Sequence, residues 1–276
     1  MTKKDNTKSI AFIGAGNMSR SIIGGLINSQ YPADKIIASN PSTDKLVQIG
    51  IDFGVNAHQD NIVAARLADI IVLAVKPQMM NTVCEQLSSL GEQLKDKLFI
   101  SIAAGVHCQR IAQLLDQPVA IIRCMPNTPA LYSKGMSGLF AYKANKKQCQ
   151  IATDIISATG EVIWVEDEQQ IDAVTAISGS GPAYFFMFME AMVAKAKDLG
   201  FDEKTAKLLV QQSALGAATM AQNSDLDIGT LKDNVTSKGG TTAAALEVFE
   251  HHRLPAIVED ALQAAADRAQ QLSQDT

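Results

Sequence analysis

The stretch SIAFIGAGNMS, residues 9–19, places a short apolar run directly before two glycines and the start of a helix-length segment. The run GAGNMS follows the GxGxxG pattern, with Ser19 where the third glycine usually stands. In that pattern the first glycine makes a tight turn and the second lets the backbone approach a pyrophosphate, which the helix N-terminus then binds. An ordinary glycine-rich turn has the same letters, so the surrounding sequence decides between the two interpretations.

That surrounding sequence alternates between strand-like and helix-like segments as far as about residue 166. Nearly continuous apolar runs, separated by amphipathic stretches, indicate a parallel sheet that helices cover on both faces. We therefore expect a Rossmann-type, doubly wound α/β domain over residues 1–166. The predicted strands are 9–13, 35–39, 69–75, 98–102, 119–123 and 162–165, and the predicted helices are 18–29, 42–50, 79–90, 107–115 and 151–158.

Residues 167–276 change character, because no convincing strand follows Glu166. The segment 183–199 is apolar on nearly every side, and 203–221 and 255–272 are further long, alanine-rich helix candidates. A helix without a polar face is normally buried all round, which a small helical domain achieves poorly alone. We therefore predict an all-helical C-terminal dimerisation domain, and a homodimer with the 183–199 helix at its centre.

Composition excludes several classes of protein. The chain of 276 residues has a net charge of −5, so it lacks the basic excess that neutralises phosphates, and we expect no nucleic-acid partner. Its four cysteines form neither CxxC nor a Cys/His cluster, which predicts no metal site and reduced thiols in a cytoplasmic protein. The polar start MTKKDNTKS does not have the pattern of a signal peptide, and charges interrupt the longest apolar run, so we expect no membrane partner either.

The second predicted strand ends in SNPST, residues 39–43, and this bears on the cofactor. NAD sites place a carboxylate here to bind the ribose hydroxyls, but the first carboxylate is that of Asp44. Hydroxyls, an amide and the nearby Lys45 suit a 2′-phosphate, so we favour NADPH. The arginine common at such sites is missing, so NADH remains a second possible donor. Lys76, in the turn AVKP (74–77), is interpreted as a surface charge rather than an acid catalyst.

Six segments together resemble one family. They are GAGNM (14–18), AVKPQ (74–78), AAG (103–105), RCMPNTPA (123–130), AISGSGPAY (176–184) and DNVTSKGGTT (233–242). In this order, and over nearly the whole chain, they are similar to pyrroline-5-carboxylate reductases. The resemblance implies a Rossmann domain, a helical domain that intertwines in a dimer, and assembly of dimers up to decamers. It also implies reduction of the C=N bond of 1-pyrroline-5-carboxylate to L-proline by NADPH or NADH.

The resemblance further implies two sets of site residues. The cofactor set is Gly14, Ala15, Gly16, Asn17, Met18, Ser39, Asn40, Asn61, Ala74, Val75, Lys76, Pro77, Ala103 and Ala104. The substrate set is Glu168, Ser178, Ser180, Asn234, Ser237, Gly239, Gly240, Thr241 and Thr242. Serine and threonine are also common helix caps, but a capped N-terminus is itself an anion site, so the two roles need not compete. Arg123 and Asn127 are interpreted as structural.

The chemistry of the last motif, VTSKGGTT (235–242), singles out Thr242. No histidine falls in the matching motifs, so we expect no strong general acid. Thr242 is predicted to hydrogen-bond the ring nitrogen, orienting it and relaying a proton from water. The family usually has proline where this chain has Lys238, a departure that bears on the rigidity of the loop and adds a positive charge.

Two alternatives remain open at this point. A β-hydroxyacid dehydrogenase type of NADP-linked oxidoreductase would use a lysine of the helical domain, but Lys195 and Lys197 lie outside the matching motifs. A non-catalytic NADP-binding sensor would keep the glycine fingerprint and lose the substrate motif. The intact hydroxyls and glycines of 236–242 disfavour the sensor.

Overall fold

The computed structural model describes residues 7–274 of the chain. Its centre is an eight-stranded sheet in the order β3-β2-β1-β4-β5-β6-β7-β8. The strands are β1 (Ile10–Ile13), β2 (Ile36–Ser39), β3 (Asn56–His58), β4 (Ile70–Leu73), β5 (Leu98–Ser101), β6 (Ala120–Met125), β7 (Gly135–Tyr142) and β8 (Gly160–Trp164). The order reverses between β1 and β4, as in a doubly wound fold, which confirms the predicted class.

Neighbouring strands run parallel, with one departure from the sequence-based expectation. β6 and β7 pair antiparallel, with Arg123 opposite Phe140. Two strands were missed in the sequence. The edge strand β3 has exposed or half-buried residues, so it lacks an apolar signature. In β7 the glycines Gly135 and Gly138 replace apolar side chains, because a Cβ on Gly138 would lie 2.8 Å from the side chain of Val174.

Helices cover both faces of this sheet. They are α1 (Asn17–Asn28), α2 (Thr43–Phe53), α3 (Asn61–Leu67), α4 (Met80–Ser88), α5 (Cys108–Leu115) and α6 (Lys146–Ser157). Of these helices, α3 was not predicted from the sequence. The strands alternate their side chains between two apolar clusters: Ile10 and Phe12 belong to one, and Ala11 and Ile13 to the other. Both faces of β1 are therefore buried, which is why its sequence is apolar without a break.

The remaining helices are α7 (Gln170–Val174), α8 (Gly181–Asp198), α9 (Glu203–Asn223), α10 (Ile228–Asn234), α11 (Thr241–His251) and α12 (Leu254–Gln274). The turn Thr175–Gly179 is π-helical. After Trp164 the described part of the chain contains no strand, which confirms the predicted helical second half.

The described residues divide into two compact units. Unit 1 comprises 7–180 and 265–274, and unit 2 comprises 181–264. These units are defined by spatial compactness, whereas the predicted boundary at 166/167 marks a change in sequence character. The boundary at 166/167 therefore stays a prediction.

Within unit 2, the long helix α8 exposes large apolar side chains. Phe185, Phe186 and Met187 are 69%, 63% and 75% exposed. Of the helix, only Gly181 is buried. Phe188 packs against Phe249 of α11, with ring centroids 5.9 Å apart. The predicted burial of this helix is therefore not achieved within one chain. No helix in the described range 7–274 has the length and apolar character needed to cross a membrane.

Candidate active site

The glycine turn after β1 has the geometry that the fingerprint requires. Gly14 has a φ of +109°, and a Cβ there would lie 2.5 Å from the carbonyl oxygen of Ala74. The Gly14 amide N–H donates to the Ser39 carbonyl at 2.8 Å, and the Ser19 hydroxyl donates to the Gly14 carbonyl at 2.6 Å. Ser19, in the third glycine's place, thus closes the turn with a hydrogen bond.

The start of α1, beyond this turn, is open to an anion. Gly16 precedes the first helical residue, Asn17, and provides no side-chain cap. The first turn of the helix contains no acidic residue. Unsatisfied backbone N–H groups at a helix N-terminus carry partial positive charge and bind phosphate readily. A Cβ on Gly16 would meet no atom within 4 Å, so space is left beside the backbone.

The end of β2 joins this turn through side-chain amides. The Ala15 amide N–H donates to Asn40 Oδ1 at 3.3 Å. The buried Ser39 hydroxyl donates to Asn61 Oδ1 at 2.7 Å, which links β2 to the first residue of α3. The structure therefore brings together Ala15, Ser39, Asn40 and Asn61, all predicted cofactor residues. The side chain of Ser39 is used to hold Asn61.

The ends of β4 and β5 lie along the same sheet edge. Ala74 faces Gly14, and the exposed Lys76 precedes the short turn Pro77–Met79. The Ile102 amide N–H donates to the Leu73 carbonyl at 3.1 Å, so the segment after β5 starts beside β4. In that segment Ala103 is buried and Ala104 is exposed. The predicted cofactor residues thus lie at the carboxyl ends of five adjacent strands, β3, β2, β1, β4 and β5, where α/β folds bind ligands.

A buried ion cluster surrounds a residue near the carboxyl end of β6, again within unit 1. Arg123, whose side chain is 2% exposed, donates from Nη1 to Glu168 Oε1 at 3.3 Å and from Nη2 to Asp172 Oδ1 at 3.2 Å. The Ser273 hydroxyl donates to Asp172 Oδ1 at 2.9 Å. His107 Nδ1 lies 3.4 Å from both Glu168 Oε1 and Arg123 Nη1. The burial of Arg123 agrees with its structural interpretation, although no sequence pattern identified these partners.

Glu168, a predicted substrate residue, has a second contact. Its Oε1 accepts a hydrogen bond from the Cys108 amide N–H at 2.8 Å, at the first residue of α5. Burial, followed by the charge of Glu168, raises the pKa of the Cys108 thiol. Burial also raises the pKa of Cys84 and Cys124 to about 12. These three thiols stay protonated at neutral pH and are poor nucleophiles.

The SGSG segment begins where helix geometry changes. The Ser180 amide N–H donates to the Thr175 carbonyl at 2.8 Å, an i to i−5 bond, and such π turns are frequent at functional sites. The Ser178 hydroxyl donates to the Val174 carbonyl at 3.0 Å. The Ser178 carbonyl in turn accepts from Asn127 Nδ2 at 3.0 Å. Asn127, interpreted as structural from the sequence, thereby ties its loop to this turn.

Unit 2 contains the remaining predicted substrate residues, in the turn Ser237–Gly240 and in the helix ends on either side of it. The Gly240 amide N–H donates to the Ser237 carbonyl at 3.0 Å, and Gly239 has a φ of +71°. Lys238 is not among the residues with positive φ, so the turn has the type II pattern, with Lys238 at its second position. Proline is common at that position, which explains why the family usually has it there. Lysine adopts the same conformation, so the turn keeps its form.

This turn leads directly into α11. The helix begins at Thr241 after Gly240, which offers no side-chain cap, and Thr242 follows in the first turn. A Cβ on Gly240 would lie 2.3 Å from Ser237 Oγ, so glycine is required for that hydroxyl to stay in place. The exposed Asn234 ends α10. Backbone N–H groups and hydroxyls therefore converge at an uncapped helix N-terminus, an arrangement that suits a carboxylate. Within the described residues, no cluster of His, Cys, Asp and Glu has the grouping of a metal site.

Comparison with known proteins agrees with this geometry. The model for pyrroline-5-carboxylate reductase dimerisation matches residues 168–272, and the model for NADP oxidoreductase coenzyme F420-dependent matches residues 9–105. A pyrroline-5-carboxylate reductase of Vibrio alginolyticus is 49% identical over 96% of this chain and 97% of its own. The chain belongs to the pyrroline-5-carboxylate reductase family. Its Escherichia coli relative of that name is 38% identical over 96% of this chain and 98% of its own.

Solved structures of the pyrroline-5-carboxylate reductase family share the fold. The enzyme from Coxiella burnetii has a TM-score of 0.91 at 44% identity, covering 97% of this chain and 99% of its own. The Plasmodium falciparum enzyme, solved with NADP bound, has a TM-score of 0.86 at 29% identity, covering 96% and 98%. Membership of this family decides against the β-hydroxyacid dehydrogenase alternative.

Proposed function

We propose that the protein is a pyrroline-5-carboxylate reductase, which transfers hydride from NADPH to the C=N bond of 1-pyrroline-5-carboxylate to give L-proline, the last step of proline biosynthesis. One observation carries the proposal: the match to a reductase at 49% identity extends over 96% of the chain. Both the glycine turn and the hydroxyl-rich turn at 235–242 fall within the family's motifs. A sensor that has lost catalysis would have no reason to retain the second turn.

The residues at the sheet edge fit a nicotinamide dinucleotide. A side chain at Gly14 would collide with Ala74, and the uncapped start of α1 offers N–H groups to a pyrophosphate. We propose that the predicted set from Gly14 to Met18 holds the phosphates, while Ser39, Asn40 and Asn61 form the adenosine side. Ala74 to Pro77, with Ala103 and Ala104, would line the nicotinamide side. When bound, the cofactor supplies the hydride.

NADPH is the proposed donor because the end of β2 contains no carboxylate. Asn40 carries an amide there, and Gln59 Nε2 donates to the Thr43 hydroxyl at 2.8 Å and to the Pro41 carbonyl at 3.3 Å. A relative of this family has been solved with NADP bound. Uncharged polar groups do not repel a 2′-phosphate, whereas an aspartate would. NADH is proposed as a second, weaker donor. The segment 40–45 after β2 contains no arginine that would bind the 2′-phosphate and so exclude NADH.

For the substrate, we propose binding at the turn before α11. Its carboxylate would be held by N–H groups and hydroxyls of Ser237, Gly239, Gly240 and Thr241, with Asn234 contributing a polar contact. Ser178 and Ser180, in unit 1, stay predicted substrate residues. The ring carbon of the C=N bond gains the hydride, and the ring nitrogen keeps the proton of the iminium form. The electron pair of the C=N π bond moves to the nitrogen, and Thr242 is proposed to orient that nitrogen and relay to it, from water, the second proton that gives the ammonium form of L-proline. Holding both reactants in place supplies much of the rate, up to about 7–11 kcal/mol in favourable cases.

We also propose that the protein acts as a homodimer in the cytoplasm. The family model for dimerisation covers 168–272, and α8 exposes Phe185, Phe186 and Met187 in the single chain. A contiguous apolar surface of this kind marks an interface. The decamer that the family resemblance implies is a further proposal, tested by the mass in solution. A cytoplasmic site is supported by four free cysteines, which suit a reducing compartment.

An absorbance assay tests the proposed activity. Purified protein is mixed with NADPH and pyrroline-5-carboxylate, and the loss of the reduced nicotinamide band is followed. We expect a loss that requires both the protein and the substrate. A folded protein that binds NADPH without oxidising it would favour the sensor instead.

A further inference from the structure

Glu168 is assigned to the substrate by family resemblance alone, but its contacts in unit 1 point to a different role. Its carboxylate oxygen Oε1 faces three groups: the Cys108 amide N–H at 2.8 Å, Arg123 Nη1 at 3.3 Å and His107 Nδ1 at 3.4 Å. The Glu168 side chain is only 16% exposed. One oxygen of this carboxylate therefore already has three partners within unit 1, and these partners account for its position without a substrate.

The contact with Cys108 caps a helix from a distance. α5 starts at Cys108, and the residue before it, His107, makes no side-chain cap. Glu168 is 60 residues further along the chain, yet its charge lies at the positive end of the α5 dipole. Charge-assisted hydrogen bonds of this kind are among the strong ones in proteins. Glu168 therefore fixes the position at which α5 begins.

The segment that ends at this cap is residues 102–107, hereafter the AAG loop, which includes Ala103 and Ala104. Its start is held by the Ile102 hydrogen bond to the Leu73 carbonyl. Its middle is closely packed, since Gly105 has a φ of +73° and a Cβ there would lie 3.0 Å from the Leu272 carbonyl oxygen. Its end is held by Glu168 through Cys108 and His107. Of these anchors, only the last depends on a charged side chain.

Arg123 in turn fixes Glu168. It is buried in β6, two residues before the strand ends, and divides its guanidinium between Glu168 and Asp172. Asp172 accepts a further hydrogen bond from Ser273 at 2.9 Å. The network thus connects the sheet, α7 and the last turn of α12 to the end of the AAG loop. Because Arg123 is itself held in place, it restricts the position of the Glu168 carboxylate that it contacts.

We propose that Glu168 is a positioning residue for the nicotinamide side of the cofactor site: held by Arg123, it fixes the AAG loop through the N-terminus of α5 and does not bind the substrate. The proposal rests on the proposed function for the cofactor role of Ala103 and Ala104. It separates Glu168 from Thr241 and Thr242, with which the family resemblance had grouped it.

Glu168→Gln tests this proposal, because glutamine keeps an acceptor for the Cys108 N–H but loses the charge that Arg123 holds. Glu166→Gln is the matched control, because Glu166 is exposed and the substitution removes the same charge two residues away. NADPH affinity is measured by nicotinamide fluorescence, without substrate, and the substrate KM is measured at saturating NADPH. For Glu168→Gln we expect about tenfold weaker NADPH binding, with the substrate KM within about twofold of the original value.

The outcomes separate the alternatives. A raised substrate KM with unchanged NADPH affinity would show Glu168 to be a substrate ligand and overturn the proposal. A lowered melting temperature with neither constant changed would show a purely structural role, and would also overturn it. If the unchanged protein fails to bind NADPH, the proposed function itself fails, which is a distinct result. Glu168→Asp keeps the charge on a shorter side chain, and we expect its NADPH affinity to lie between those of Glu168→Gln and the original protein. If Glu168→Gln does not fold, Glu168→Asp is compared with the original protein instead.

Hydrogen exchange gives a readout that needs no ligand. In Glu168→Gln the amides of the AAG loop and the first turn of α5 should exchange faster, while those of β1 and β4 should not. Unchanged exchange across residues 102–109 would contradict the proposed anchor.

Discussion

A Cβ on Gly14 would lie 2.5 Å from the carbonyl oxygen of Ala74. The first glycine of the fingerprint is therefore fixed by the neighbouring strand β4 as well as by the space that a pyrophosphate needs. Gly14 also has a φ of +109°, which side chains rarely adopt.

Gly14→Ala should destabilise the fold, because the strained φ alone costs about 1–3 kcal/mol and the collision with Ala74 adds to it. Gly16→Ala is the matched control: a Cβ at Gly16 meets no atom within 4 Å and its φ is −83°. The Gly16→Ala protein should have the same urea midpoint of unfolding as the original protein, and it should bind NADPH more weakly. Equal stability losses in the two variants would contradict the assignment of separate roles.

Asn40→Asp should shift the cofactor preference from NADPH towards NADH. Aspartate keeps the acceptor that Asn40 Oδ1 offers to the Ala15 amide, so the turn should persist. The new charge repels a 2′-phosphate and accepts hydrogen bonds from ribose hydroxyls. The ratio of kcat/KM with NADPH to kcat/KM with NADH should therefore fall about tenfold, equivalent to about 1.4 kcal/mol. Asp44→Asn, at an exposed position nearby, should leave the ratio unchanged. An unmoved ratio in Asn40→Asp would place the 2′-phosphate elsewhere.

Thr242→Ala should lower kcat by about tenfold to a hundredfold, since it removes the hydroxyl proposed to orient and relay the proton. Affinity for NADPH should not change, because Thr242 belongs to the first turn of α11 and not to the sheet edge. Thr242→Ser retains a hydroxyl and should recover most of the rate. Steady-state kinetics and fluorescence titration measure the two quantities. A rate unchanged in Thr242→Ala would remove this residue from the mechanism.

Lys238→Pro should stabilise the protein by about 0.4–1 kcal/mol, because proline at the second position of a type II turn restricts the unfolded chain. No backbone hydrogen bond is lost, since the Lys238 N–H has no backbone acceptor among the residues described. We expect the substrate KM to stay within about twofold, as for an exposed lysine. Lys238→Ala removes the charge without adding the ring, and separates the two effects. A KM raised equally in both variants would give the lysine a part in binding the substrate anion.

Asp69 should make stability sensitive to acid. Burial alone would raise its pKa, but hydrogen bonds from Lys8 and from the Ser9 amide and hydroxyl outweigh burial, and the pKa is lowered. A carboxyl with a lowered pKa in the folded state stabilises the protein above the unfolded pKa of about 3.9, and the contribution disappears as the pH falls through the folded value. Asp69→Asn should therefore lose stability at neutral pH and lose less than the original protein on acidification. Melting temperatures between pH 7 and pH 3 measure this, with the exposed Asp96→Asn as control. Parallel curves for the original protein and Asp69→Asn would contradict it.

How much the sequence predicted depends on whether the signal is local. β1 and β4 are buried on both faces, so their apolar runs stand out, and the glycine turn follows β1 directly. β3 lies at the sheet edge with exposed residues, and in β7 Gly135, Ser137 and Gly138 interrupt the apolar residues, so neither strand has a continuous apolar run. These two strands were missed for that reason.

The site divides in the same way. The turn at Ser237–Gly240 is built from neighbouring residues, and its glycines and hydroxyls were visible in the sequence. The Arg123 cluster joins residues 16 to 150 positions apart, and pairing at such separations leaves no periodic pattern. Resemblance to a family thus placed Glu168 at the site, but only the contacts show what its carboxylate binds.

In the proposed reaction hydride passes from NADPH to the C=N carbon of pyrroline-5-carboxylate. NADPH that carries deuterium at the transferable position of the nicotinamide tests this transfer, with the product analysed by mass spectrometry. We expect L-proline with one deuterium on the ring carbon that was doubly bonded to nitrogen. Proline without deuterium, or no proline from a folded protein that binds NADPH, would contradict it.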